Sequence, residues 1–339
     1  MKVDCFDYNL PEELIAQTPL EKRSSSRLLV LNRAEGSISD HHFYEISSML
    51  GKNDVLVLND TKVLPSRIYG EKTDTKAKIE FLLLREHPGY WETLVKPARR
   101  VKIGTTLSFG GLFSGEVVGK FEDGLCYVKF VYEGVFLDLL AQLGTMPLPP
   151  YIHKTLKDQS RYQTVYAKEL GSAAAPTAGL HFDQDLLEKI RSSGVTIVNV
   201  TLHIGLGTFR AVTVDEVENH HMHTEKYTMS QETAAILNAA KTAGKRIVCV
   251  GTTSTRTLEA IYSRYGTFRA VTEDTDIFIY PGYHFQAVDA LITNFHLPKS
   301  TLLMLVSAFY DREKILEAYR YAIEHQYRFF SFGDAMFIQ

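Results

Sequence analysis

Hydrophobic positions along the chain change texture twice, near residue 66 and near residue 150. Outside that middle region, short unbroken apolar runs alternate with stretches of helical period. The runs at 54–59, 195–202, 245–250 and 290–293 read as strands, because they are short, β-branched and bounded by polar or glycine residues. Helices are predicted over 183–190, capped by Asp183, over 230–243, with Ser230 at the N-cap and Gly244 past the end, and over 311–325. A Pro-led short helix opens the chain near residue 10, residues 276–280 suggest another strand, and 328–338 a final aromatic one. Tyr162 and Tyr166 stand four apart, the spacing of two aromatics on one helical face.

The middle region carries strand-like runs at 79–85, 90–95, 105–109, 115–121 and 125–132, separated by His87-Pro88-Gly89, Gly110-Gly111 and Glu122-Asp123-Gly124. Such spacing predicts a small antiparallel barrel or sandwich, closed by the stiff connector Met146-Pro147-Leu148-Pro149-Pro150. Here lies the densest basic cluster, Lys96, Arg99, Arg100 and Lys102, near the only tryptophan, Trp91. Lysine and arginine on a β surface usually form a solvated face, but beside an exposed aromatic they also hold single-stranded RNA.

Residues 245–264 read as strand, tight loop and helix in one run. Gly251 breaks the strand, Thr252 to Thr255 supply hydroxyls, and Arg256 and Glu259 enter the helical pattern. Free N–H groups at a helix start, hydroxyls and a guanidinium can seat a carboxylate or phosphate. The plainer account is a capped helix with Arg256 paired to Glu259 one turn on, and the second Gly and the Lys of a P-loop are missing.

Other strand exits are polar too. Asn59, Asp60, Thr61 and Lys62 follow one of them, and Asn294-Phe295-His296-Leu297-Pro298 another. His203-Ile204-Gly205-Leu206-Gly207-Thr208-Phe209-Arg210 imitates a nucleotide glycine loop without its third glycine or its acidic partner. His181 ends a small-residue loop at a helix entrance. His220, His221, His223 and Glu225 form the richest titratable cluster; on a strand the last three would share a face, fit either to ligate a transition metal or to hold a general base and its partners. Arg23 and Arg27, beside three serines, suit a phosphate or a solvated polar turn. Polar residues placed repeatedly at strand exits point to an enzyme.

Composition narrows the classes. With 339 residues and 45% hydrophobic content the chain can bury a substantial core, and its length argues for about two domains. A net charge of -3 gives no global attraction for nucleic acid, so RNA binding must use local basic patches. Cys5, Cys126 and Cys249 lie too far apart for a metal pair or a disulfide framework. The first residues lack an apolar signal core and the longest apolar stretch, near 302–309, is too short to span a bilayer, so a cytoplasmic protein is expected.

Several contiguous motifs carry a resemblance that runs nearly end to end. Asn59-Asp60-Thr61-Lys62, Pro65-Ser66-Arg67, Lys96-Pro97-Ala98-Arg99, residues 173–182, His203-Ile204-Gly205-Leu206-Gly207-Thr208-Phe209, residues 251–256 and Thr293-Asn294-Phe295-His296-Leu297-Pro298 occur in that order. Together they resemble the S-adenosylmethionine:tRNA ribosyltransferase-isomerases of queuosine biosynthesis. The resemblance implies an α/β fold: a discontinuous mixed-sheet α/β catalytic domain, residues 1–65 and 151–339, with a smaller all-β barrel inserted at 66–150. It implies transfer and isomerisation of the ribosyl part of S-adenosylmethionine onto 7-aminomethyl-7-deazaguanine at the tRNA wobble position, giving epoxyqueuosine-tRNA, adenine and methionine. S-adenosylmethionine is then a consumed substrate, with no further cofactor, no metal, no membrane and no obligate protein partner.

On this footing His181, His203 and Glu225 are the candidates for proton transfer. Thr252, Thr253 and Arg256 are expected to seat an anionic substrate group, with Asp60, Lys62, Arg67, Asn294 and His296 lining the pocket. Lys96, Arg99 and Arg100 are expected to meet tRNA phosphates. Two other classes compete, an S-adenosylmethionine-dependent RNA methyltransferase and a noncatalytic RNA-binding protein.

Overall fold

A computed structural model describes residues 1–205 and 212–339. The chain forms two compact units, one of residues 1–61, 150–169 and 175–339, the other of 62–149 and 170–174. The first is a mixed α/β unit and the second contains a closed antiparallel barrel, as the change of texture predicts.

A nine-stranded sheet organises the α/β unit, in the order Val271–Thr275, Glu225–Met229, Thr196–Leu202, Asp54–Asn59, Arg246–Val250, Ala290–Asn294, Ala335–Ile338, Arg27–Asn32 and Ser37–His42. Its middle four strands, from Thr196–Leu202 to Ala290–Asn294, are parallel to one another. Parallel strands are covered on both faces and therefore read as continuous apolar runs, and all six residues of Asp54–Asn59 are buried. One face packs Leu56, Leu58, Val248, Val250 and Ile292 against Leu186, Leu187 and Ile190 of the helix Gln184–Ser192. Because the four strands run the same way, their carboxyl ends meet at one edge. That is where open α/β sheets hold ligands.

Gly251 takes a φ of 84° and turns the chain from strand to helix in a single residue. The expected loop over 252–255 is therefore absent; the helix Gly251–Tyr265 begins at once. Its hydroxyls complete the helix instead of facing a ligand. Ser254 donates to Val250 O (2.9 Å), Thr255 to Gly251 O (3.2 Å) and Thr257 to Thr253 O (3.0 Å).

Other local expectations shift. Around Tyr162 and Tyr166 only the short turn Gln159–Tyr162 is helical, because Lys168 and Glu169 give their N–H groups to Asp60 O and draw the following backbone out of a helix. The strand expected at 276–280 lies earlier, at Val271–Thr275, where it pairs with Glu225–Met229. Only Ala335–Ile338 of the last segment is a strand; before it, Asp334 accepts from the backbone N–H groups of Arg27 (2.9 Å) and Arg328 (2.8 Å) and folds the chain back.

The second unit closes six strands, Leu125–Val131, Tyr90–Lys96, Lys78–His87, Arg67–Lys72, Thr106–Phe109 and Phe113–Lys120, into a barrel. Alternation sends Trp91, Phe81, Leu83, Phe109, Val117 and Val128 inward. Trp91 is thus a core residue, 7% exposed, and cannot be the exposed aromatic expected beside the basic cluster. Lys96, Arg99, Arg100 and Lys102 do lie on the surface. The helix Phe136–Leu143, unread in the sequence, covers this core through Phe136 and Leu140.

Candidate active site

Each polar strand exit contributes one layer of the site at the carboxyl edge of the parallel strands. Asn59 ties three exits together. Its Nδ2 donates to Leu202 O and to Thr253 Oγ1, both at 3.0 Å, and its Oδ1 accepts from Leu202 N (3.0 Å) and Thr61 N (3.2 Å). An amide with one donor group and one acceptor group can do this, whereas a carboxylate lacks the donor. Beside it Asp60 Oδ1 accepts from Thr201 Oγ1 at 2.6 Å, and no described residue engages Oδ2. Burial raises the Asp60 pKa, against the lowering effect of the Thr201 hydroxyl.

His203 lies half-buried at the exit of Thr196–Leu202, with Nδ1 2.8 Å from Thr61 Oγ1. Among the described residues nothing engages its Nε2. Burial, and then Lys226, lowers its pKa, so the ring is neutral near pH 7. Residues 206–211, which continue the expected glycine loop, lie outside the described residues.

His181 is different. Asn294 Nδ2 donates to Phe330 O (3.0 Å), which fixes the amide's orientation, and the same Nδ2 lies 3.0 Å from His181 Nε2. That nitrogen must accept, so Nδ1 carries the proton and faces Ser26 Oγ at 2.8 Å. Burial holds the His181 pKa down at about 4. Both ring nitrogens are occupied and the ring stacks on Phe43, with centroids 4.9 Å apart. The structure thus joins His181 and Asn294, but as one closed network.

Glu225 and Arg256 form a buried ion pair, and Glu225 Oε1 also accepts from Gly205 N at 3.0 Å. Arg256 Nε donates to Ile277 O (3.2 Å), while Nη2 is buried without a partner. The expected Arg256–Glu259 pair does not form. Glu259 instead accepts from the N–H groups of Ala287 (2.9 Å) and Val288 (3.1 Å) and from the Tyr283 hydroxyl (3.0 Å). The histidine-rich cluster disperses: Glu225 begins a strand and turns inward, and His221 and His223 precede it on the surface. Among the described residues no group of three or more His, Cys, Asp and Glu is arranged to hold a metal ion.

Thr252 and Thr253 are buried in the first turn of Gly251–Tyr265. His296 is also buried; its Nε2 meets Thr293 Oγ1 at 3.0 Å, its backbone N–H reaches the Tyr319 hydroxyl at 2.9 Å, and burial depresses its pKa to about 3. Lys62 and Arg67 belong to the barrel unit, where Lys62 is exposed and Arg67 Nε lies 3.4 Å from Glu80 Oε1. Tyr166, read from its spacing as one of two aromatics on a helical face, sits beside the small-residue loop instead. Its hydroxyl is buried, has no partner among the described residues, and occupies the space a Cβ on Gly179 would take, 2.0 Å from that position. A glycine in a run of alanines was the available signal.

The fold is that of an α/β protein with polar residues gathered at the carboxyl edge of its four parallel strands. Residues 3–338 match the family described as queuosine biosynthesis protein, and the chain belongs to that family. A crystal structure of S-adenosylmethionine tRNA ribosyltransferase from Thermotoga maritima is similar at 40% identity and a TM-score of 0.59, with 99% of this chain and 100% of that one covered.

Proposed function

We propose that this protein is an S-adenosylmethionine:tRNA ribosyltransferase-isomerase. It moves the ribosyl part of S-adenosylmethionine onto 7-aminomethyl-7-deazaguanine at the wobble position and releases adenine and methionine. The observation that carries the proposal is the whole-length similarity, at 40% identity, to a protein named S-adenosylmethionine tRNA ribosyltransferase. The sulfonium acidifies the neighbouring ribose C5′ hydrogens, so the reaction needs a neutral base near them, a donor for departing adenine, and a base lifted out of the anticodon stack.

His203 suits the first task best. It is neutral and half-buried, with Nδ1 oriented by Thr61 and no partner on Nε2 among the described residues, whereas His181 has both nitrogens engaged and Glu225 is bound to Arg256. Asp60, with Oδ2 unengaged, orients a ribose hydroxyl. Thr252, Thr253 and the unpartnered Nη2 of Arg256 remain the proposed seat for an anionic group. Asn294 and His296 support the pocket from within, Lys62 and Arg67 remain proposed substrate-binding residues, and Lys96, Arg99 and Arg100 meet tRNA phosphates. S-adenosylmethionine is consumed as substrate, no further cofactor is needed, and the reaction takes place in the cytoplasm. Among the described residues no helix is long and apolar enough to cross a membrane.

The test is mass spectrometry of products after incubation with S-adenosylmethionine and tRNA bearing the 7-aminomethyl-7-deazaguanine base. Adenine, methionine and a ribosyl-derived mass gain on that base are expected. S-adenosylhomocysteine would replace this reading with methyl transfer, and an intact S-adenosylmethionine with folded protein would replace it with RNA binding alone.

A further inference from the structure

Three arginines converge on a small, partly open cleft in the α/β unit, Arg23, Arg161 and Arg328, with Ser26, Ser331 and His181 also in its wall. They come from distant parts of the chain. Arg23 donates to Gln163 O (2.8 Å) and Ser160 O (3.3 Å), and Arg161 to Leu20 O (2.6 Å) and Glu21 O (3.3 Å). These main-chain carbonyls fix the guanidinium groups without cancelling their charge. Arg328 is neutralised by Asp334 at 3.0 Å, but among the described residues neither Arg23 nor Arg161 has a carboxylate within salt-bridge distance. Burial lowers the Arg23 pKa and the neighbouring Arg161 lowers it further, with Asp158 and Asp183 opposing from a distance. Two half-buried like charges held side by side are costly unless something negative joins them.

We infer that this cleft binds one phosphate group of the RNA backbone, an assignment that rests on the tRNA reading above. Planar guanidinium donors match a phosphate oxygen fork, and the serine hydroxyls add further donors. S-adenosylmethionine fits poorly as the source of the anion, because it carries two positive groups, ammonium and sulfonium, for its single carboxylate. The wider groove alongside, which Arg23 and Arg161 also line, together with Lys22, Glu21, Asp183 and Asp185, is mixed in charge. Carboxylates flank the two guanidinium groups on the groove side, which suits one phosphate and not a length of strand. A phosphate here would stand beside the closed network of Ser26, His181 and Asn294.

Two measurements on the full chain test the assignment. Thermal unfolding with and without inorganic phosphate reads the anion site directly, and fluorescence anisotropy with a labelled anticodon stem–loop at several salt concentrations reads the RNA. The variants are Arg161→Gln and Leu20→Asp, the second adding a carboxylate at the cleft while leaving all three arginines in place. Phosphate is expected to raise the melting temperature of the parent and of neither variant. Stem–loop affinity should fall about tenfold in both, and in Arg161→Gln the slope of log K against log salt should shrink by about 0.7–0.9, the loss of one phosphate contact. Folded variants that bind the stem–loop like the parent would overturn the assignment. So would loss of S-adenosylmethionine affinity with RNA affinity intact, which would make the cleft a carboxylate seat. A parent that shows the phosphate shift but no stem–loop binding would reject the tRNA reading, and the RNA phosphate with it.

Discussion

At the scale of single residues, partners decide what a titratable group can do. Three groups are candidates for proton transfer, yet Asn294 and Ser26 close off His181, Arg256 holds Glu225, and among the described residues only His203 keeps an open nitrogen. His203→Asn should therefore slow single-turnover adenine release by at least about 100-fold; release at the parental rate would remove His203 as the base. Arg256→Ala removes the cation paired with the buried Glu225 carboxylate and should cost about 3–5 kcal/mol in urea unfolding. If that variant, where folded, kept both substrate affinities, the anion seat at Arg256 would be lost. The buried histidines also set a pH dependence. His181 and His296 titrate near 4 and 3 in the fold but at an ordinary 6.5 when unfolded, so below 6.5 the unfolded chain binds protons that the native one refuses. Stability is full above pH 6.5 and falls with acidification, by about 1.4 kcal/mol per pH unit for each histidine while pH remains above the folded values. Urea midpoints of His296→Gln between pH 7 and 4.5 should show a shallower decline; an unchanged slope would contradict the burial of that ring.

At the scale of elements, close approach explains composition that propensity does not. The run 172–182 is rich in small residues because it passes against neighbours, and Gly179 has Tyr166 Oη where a Cβ would stand and Thr164 Cγ2 at 2.8 Å from it. Gly179→Ala should destabilise the protein by about 1–3 kcal/mol through overpacking. Tyr166→Phe in the same background should recover part of that loss, and a double-mutant cycle in urea with no coupling would exclude the contact. The Gly251–Tyr265 helix teaches a related lesson. Its threonines look like a ligand loop because serine and threonine favour caps and turns, but once Gly251 reverses the chain their hydroxyls can bond back to carbonyls four residues earlier. Nothing local distinguishes those two outcomes.

At the scale of the whole molecule, the surface cations of the barrel unit and the sheet-edge site answer to different measurements. Replacing Lys96, Arg99 and Arg100 together by Gln should lower the salt slope of tRNA binding by about 0.7–0.9 per lost contact and leave S-adenosylmethionine affinity as it was. An unchanged slope would take tRNA away from this surface. Much of the architecture was legible beforehand. The runs at 54–59, 195–202, 245–250 and 290–293 are apolar because strands covered on both faces must be, and the turn-punctuated middle region is short-period because a barrel wall alternates. Strand, helix cap and barrel signals depend on neighbours within a few residues, so one sequence determines them. The contiguous motifs are legible for the same reason. What the tertiary structure alone decided is pairing at long range: that Asn59 links Leu202 to Thr253, that Arg256 belongs to Glu225 and not to Glu259, that Trp91 points inward, and that Arg23, Arg161 and Arg328 share one cleft. Those partners lie tens to hundreds of residues apart, and a side chain's charge, tautomer and reach are set by what folding brings against it.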